Sequence, residues 1–308
     1  MSARTLSLIA LALAVVVVGC ESSGNVGSVP GAILGGMTQT LTGTKPADIQ
    51  GATTDIDEPE EIELGRAVTA AIGSRYKLLR DEGLTRYVAL VGNAVALQSD
   101  RPDLRYYFGV LDTDEVNAFA AAGGYVFLTR GTLALVHDEA TLAGVLGHEI
   151  GHIALRHHVE TIKDQRKAAV TKGVGTSLFQ IGSGFIPGVG GTATRAFVSS
   201  PLMNLTADGL VNLTLKGWSR GEEDQADAAG VKYAAQAGYD AAGLSDFLKA
   251  VTEGGQQPAK SGFLAKFTST HPGVGERLKH QEAQLKTAPP GGRRAATRFE
   301  QAMAAMNH

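Results

Sequence analysis

The stretch His148-Glu149-Ile150-Gly151-His152 constrains this chain more than any other feature of its 308 residues. It falls in a segment that Asp138 can cap and that reads as one long helix to about Lys163. Residues four apart on a helix stand one turn above one another, so both imidazoles can reach a single metal ion. Glu149, about 60° around the wheel from His152, can then reach a water on that ion. This is the geometry of a zinc hydrolase, and it leaves zinc one protein ligand short. Cys20 is the only cysteine, which removes thiolate ligands, disulfides and a buried cysteine nucleophile. The third ligand must be His, Asp or Glu, and the cluster Glu222-Glu223-Asp224 is the best supplier.

Composition is that of a soluble globular protein, with 44% hydrophobic and 19% charged residues. Lys and Arg number 28 against 31 Asp and Glu, a net charge of -3, and no basic run offers a surface for nucleic acid. The 39 glycines follow no Gly-X-Y period, which excludes collagen and places the excess in loops. At the N-terminus Arg4 precedes an uncharged run from Thr5 to Gly19, too short for a membrane span. Its end, Val17-Val18-Gly19-Cys20, resembles a bacterial lipoprotein signal, which implies a signal peptide over 1–19 and lipid on Cys20. Glu21 is not the Asp that retains such proteins in the inner membrane, so the expected address is the outer membrane, facing the periplasm.

Residues 20–54, rich in Gly, Ser, Thr and Pro, read as a flexible tether, followed by one domain over 55–288. Apolar spacing predicts helices over Glu60 to Leu79 and Leu84 to Leu97. Short β-prone runs at Leu104 to Leu111 and Tyr125 to Thr129, with turns at Asp112, Asn117 and Gly123-Gly124, predict a small antiparallel sheet. A further helix is expected from Ser219 to Ala237, and the tail 289–308 reads as one detached helix. The glycine-rich segment 173–194 is too polar for a span and reads as a mobile segment over the cleft or against the bilayer. His158 is expected to face solvent, His157 to be structural, and His137 and His280 to lie on the surface.

Four segments resemble, in order, the gluzincin peptidase family that includes HtpX, the CAAX prenyl protease, BepA and LoiP. They are Asn117-Ala118-Phe119 with Gly123-Gly124-Tyr125-Val126-Phe127; Asp138 through His152 with Arg156-His157; Ser219-Arg220-Gly221-Glu222-Glu223-Asp224-Gln225-Ala226-Asp227; and His271-Pro272 with Arg277. Together they cover roughly Glu60 to Gln281. The chain lacks long apolar runs and a C-terminal repeat domain, so it looks most like the single-domain LoiP-like lipoproteins.

The resemblance implies an α+β, mostly helical zincin-type fold and one zinc ion per chain on His148, His152 and Glu223. Asp227, one turn after Glu223, would hold the imidazole of His148. Glu149 would act as general base, with His271 or Arg277 near the oxyanion. The strand containing Asn117, Ala118 and Phe119 would lie beside the cleft, open to an extended substrate. His271 would either latch the metal or contact substrate. Misfolded or misassembled envelope proteins are the implied substrates, with outer-membrane assembly machinery as a further partner. A chaperone-like assembly factor with little or no proteolysis is the alternative.

Overall fold

Asp57 starts the first helix by accepting a hydrogen bond from the Glu60 amide at 2.9 Å, with Pro59 in the first turn. This computed structural model describes residues 55–171, 217–255, 258–286 and 291–304. Cys20, the signal, the tether and the segment 173–194 lie outside the described residues.

Helix α1 (Glu58–Arg75) ends sooner than its apolar spacing suggests, because Tyr76 turns extended and the next residues join the sheet. The Leu79 amide donates to Val110 O at 2.8 Å, and the Asp112 amide to Lys77 O at 2.8 Å. Helix α2 (Glu82–Ala96) is capped by Asp81 and buries Leu84, Val88, Val91 and Val95, the stripe its sequence spacing predicts.

Strands β1 (Tyr107–Leu111), β2 (Ala118–Ala121) and β3 (Tyr125–Thr129) form one sheet in the order β1-β3-β2. The sheet is mixed, not antiparallel as expected: β2 pairs antiparallel with β3, but β1 pairs parallel with it. The Gly123-Gly124 turn folds β2 straight back onto β3, which makes that pair antiparallel and leaves only the far edge of β3 for β1. Both glycines have positive φ, 73° and 97°, and a Cβ would meet Ile62 Cα at 2.7 Å or Arg105 O at 2.2 Å. Alternate residues serve two cores. Val110, Ala118, Ala120, Val126 and Leu128 face α2 and the helix that follows the sheet, while Leu111, Phe119, Ala121 and Phe127 face α1.

After the short α3 (Arg130–Leu133), Asp138 caps α4 (Glu139–Ala154), accepting from the Thr141 amide and hydroxyl, both at 2.8 Å. The helix expected to reach Lys163 is broken in two. Arg156 adopts a left-handed φ of 59°, and α5 (His157–Thr171) sets off in a new direction. Interactions at Arg156 explain how a non-glycine residue holds that conformation: Nε donates to Glu61 at 3.1 Å and Nη2 donates to Ile56 O.

Helix α6 (Arg220–Gln236) opens with a capping box between Ser219 and Glu222, and is followed by α7 (Gly243–Gly255), α8 (Pro258–Thr270) and α9 (Val274–Leu285). The C-terminal α10 (Ala296–Ala304) is not detached. Phe299 is 4% exposed in the main core. Arg294 reaches Asp138 at 2.6 Å, Asp240 at 3.1 Å and Asp246 at 2.5 Å, and Arg298 pairs with Glu139. The architecture is α+β and mostly helical. Among the described residues no helix is long and apolar enough to cross a membrane.

Candidate metal centre

Helix α4 is buried over almost its whole length, so the polar groups of its last two turns point into protein. A seam of small residues draws it close to its neighbours. A Cβ on Gly144 would lie 2.4 Å from the Leu244 amide, one on Gly147 would lie 2.8 Å from Gly230 O, and one on Gly151 would lie 3.0 Å from Ala226 O. Helix α6 therefore packs backbone to backbone on α4, and its Glu223 reaches the two histidines. His148 Nε2 and His152 Nε2 stand 3.1 Å apart, with Glu223 oxygens 3.7 and 3.6 Å from them.

A fourth group comes from the end of α8. His271 Nδ1 lies 3.3 Å from His148 Nε2 and 3.0 Å from Glu223 Oε1. The potential ligand atoms of His148, His152, Glu223 and His271 all fall within 4.8 Å of one another, and all four residues are buried. A tetrahedral ion bound at about 2.0–2.1 Å holds its ligand atoms about 3.3 Å apart. The hydrogen-bond and ion-pair separations here run from 3.0 to 3.7 Å. Convergence of buried imidazoles and a carboxylate at this spacing fits a metal ion.

The surrounding shell orients these candidate ligands. His148 Nδ1 donates to Asp227 at 2.8 Å, which turns its Nε2 lone pair toward the centre. Arg277 is 2% exposed and committed to the two carboxylates: Nε and Nη2 bind Asp227 at 2.8 and 2.6 Å, and Nη1 reaches Glu223 at 2.5 Å. Burial alone would raise both acids. For Glu223 the charges of His271 and Arg277 prevail, and for Asp227 the Arg277 charge does, so both stay well below the usual carboxylate range. Burial pushes His152 well below the usual histidine value, which keeps it neutral, the form in which an imidazole can bind a metal.

Glu149 is 1% exposed, and neither carboxylate oxygen has a hydrogen-bond partner. Its nearest ion-pair neighbour is His271 Nε2 at 3.6 Å. Burial raises its pKa against the pull of His271 and His148. Asn117 precedes β2, an edge strand of the sheet, and its Oδ1 accepts from the Ala118 amide and from Thr270 Oγ, both at 3.0 Å.

Two neighbours differ from expectation or were not foreseen. His158 is not solvent-facing: it is 7% exposed and its Nε2 donates to Ala120 O at 2.6 Å. Trp218 stacks on His152, with centroids 4.5 Å apart and planes 21° apart. His157 is buried and meets His152, while His137 and His280 are exposed as expected.

Comparison with known proteins agrees with this geometry. The sequence model of Peptidase family M48 matches residues 83–284. The beta-barrel assembly-enhancing protease of Yersinia pestis is 27% identical over 242 residues, covering 78% of this chain and 47% of its own. Its namesake in Escherichia coli K12 is 26% identical over 219 residues, covering 71% and 42%. The chain thus spans about half the length of these relatives. Metalloprotease LoiP of Escherichia coli K12 is 25% identical over 273 residues, covering 89% of this chain and 93% of its own. Since the match includes the histidine helix, the carboxylate helix and Arg277, the chain belongs to Peptidase family M48.

Proposed function

We propose that the protein is a zinc endopeptidase of the bacterial cell envelope that hydrolyses misfolded or misassembled envelope proteins. One zinc ion would be held by His148, His152 and Glu223, with Asp227 and Arg277 fixing the ligands. Bound there, zinc supplies a water of lowered pKa and polarises the scissile carbonyl. Glu149 would be the group that accepts a proton from the attacking water and passes it to the leaving amine. The observation that carries this reading is the buried Glu149 carboxylate, unpartnered beside a convergent set of ligand atoms. Glu149→Gln should keep its zinc and lose cleavage of an unfolded protein. Loss of zinc from that variant, measured by metal analysis, would reject the division of roles.

Placement in the envelope draws on the pattern around Cys20 and on relatives whose names carry beta-barrel assembly. Lipid on Cys20 would tether the domain to the outer membrane, and intact mass of the mature chain tests it. The word assembly in those names also supports the second reading, an assembly factor with little proteolysis, which predicts that Glu149→Gln leaves envelope function intact. β2, with Asn117 just before it and Ala118 and Phe119 at its start, is an edge strand, which suits capture of extended segments by backbone pairing once the bonds now on that edge, from the Ala118 amide to Asn117 and from His158 to Ala120 O, are exchanged.

His271 is read as a latch that takes the open position on the metal, because its Nδ1 lies as close to His148 and Glu223 as a fourth ligand would. His271→Ala should then raise cleavage of unfolded protein. A lower rate at unchanged zinc content would show a substrate contact instead.

A further inference from the structure

His152 and His157 meet through their Nδ1 atoms at 2.8 Å, and the other nitrogen of His157 lies 3.2 Å from Gln225 Oε1. Two neutral rings share a single proton across such a contact, so the chain His152–His157–Gln225 runs in one of two directions. An amide oxygen only accepts. With Gln225 Oε1 at this place, His157 Nε2 carries a proton and donates it, and the Nδ1 of a neutral His157 is an acceptor. His152 must then donate through Nδ1, which leaves its Nε2 lone pair facing His148 and Glu223. The opposite direction would put a proton on His152 Nε2, where a metal has to bind.

We propose that His157 is the positioning residue of His152, and that Gln225 sets the direction of the relay, so that helix α6 orients both ligand histidines. It holds His148 directly through Asp227 at 2.8 Å and His152 indirectly through Gln225 and His157. Trp218 completes the support: its stack on the His152 ring fixes the plane, while His157 fixes rotation within that plane. His157 reaches this position only because Arg156, at φ 59°, breaks the helix; on a continuous helix it would point about 140° away from His152. The role complements the metal-ligand assignment above and rests on it.

Gln225 is exposed, so it can be changed without entering the core. The test uses metal-free full-length protein titrated with zinc against a chelating indicator, and Trp218, the only tryptophan, reports binding through its fluorescence. Gln225→Glu, which only accepts, should bind zinc at least as tightly as the wild type. Gln225→Lys, which only donates, should bind roughly 10–100-fold more weakly, as losses of a ligand's outer partner do. Gln225→Met, neutral and unable to accept in this way, should also weaken binding, which separates the relay from a charge effect. His157→Ala should weaken it as well, while the melting temperatures of the metal-free Gln225 variants stay at the wild-type value. Equal zinc affinity across the three Gln225 variants, or wild-type affinity in a folded His157→Ala protein, would overturn the relay while leaving the ligand assignment standing. A wild-type protein that takes up no zinc would overturn both.

Discussion

Replacing Gly230 with alanine isolates the geometric requirement of the metal site. Gly230 sits on α6, two turns after Glu223, and a Cβ there would lie 2.7 Å from the His148 amide nitrogen and 3.0 Å from both Gly147 C and His148 Cα. These are backbone atoms, so no side chain can swing aside. Ordinary contact begins at 3.4 Å, which asks the two helices to part locally by about 0.7 Å. Alanine favours the helix by about 0.8–1 kcal/mol over glycine, while overpacking costs about 1–3 kcal/mol. Net destabilisation should therefore be at most about 2 kcal/mol, or a few degrees in melting temperature. The metal site is less forgiving. The contacts of Glu223 with His148 and His152, at 3.7 and 3.6 Å, would widen by several tenths of an ångström where a ligand shell tolerates about 0.2 Å. Zinc affinity, measured by competition with an indicator, should fall about 10–100-fold. Gly221→Ala on the same helix, where a Cβ meets nothing within 4 Å, should bind as the wild type does. A folded Gly230→Ala protein with undiminished zinc affinity would refute the argument that the glycine seam sets the ligand spacing.

His158 should make the protein sensitive to mild acid. Burial, partly offset by the bond to Ala120 O, holds this imidazole down to about 3 in place of 6.5, so its contribution is complete above pH 6.5 and declines as pH falls toward 3, by at most about 1.4 kcal/mol per pH unit. Urea unfolding between pH 7.5 and 5 should show a shallower loss for His158→Gln than for the wild type, and equal slopes would reject the assignment. Phe299→Ala should lower stability by about 3 kcal/mol because the ring fills core space against α2 and α4, whereas a detached tail would give no change in the thermal melt.

The histidine helix was legible because its chemistry needs only a spacing of four within one element. Glu223 was legible only through the family motif, although a local signal was present: in Ser219-Arg220-Gly221-Glu222 the glutamate returns to the Ser219 amide at 2.8 Å, which leaves the next one to face inward. The neighbours of His152 were hidden because neither Gly nor Pro marks the break at Arg156. That turn rests on Glu61, 95 positions earlier, a contact that periodicity cannot reveal. The parallel pairing of β1 was hidden for a related reason, since short strands joined by turns carry no direction of their own until a neighbour such as β3 is chosen.

The members of the metal group are not held with equal strength. Helix α4 is clamped at both ends: its first residues by Arg294 and Arg298, and its last turn by the buried Glu61, which pairs with Arg101 at 2.7 Å and Arg156 at 3.1 Å. Glu223 is fixed by Arg277 at 2.5 Å. His271 has no such frame on its own segment. Its amide donates to Phe267 O at 2.7 Å, Thr270 Oγ donates to Asn117 Oδ1 at 3.0 Å, and the Trp218 amide donates to Thr270 O at 3.3 Å. Neutral hydrogen bonds contribute about 0.5–1.5 kcal/mol each, and bonds to charged groups about 1.5–3 kcal/mol. If one member of the group must leave to admit a substrate carbonyl, His271 is the one whose segment carries no charged clamp: its departure gives up its own contact with Glu223 at 3.0 Å and uncovers the position beside Glu149, while the clamps on the three other groups stay in place. Because Asn117 binds both Thr270 and the Ala118 amide, a peptide pairing with β2 would disturb the same bonds that hold His271 in.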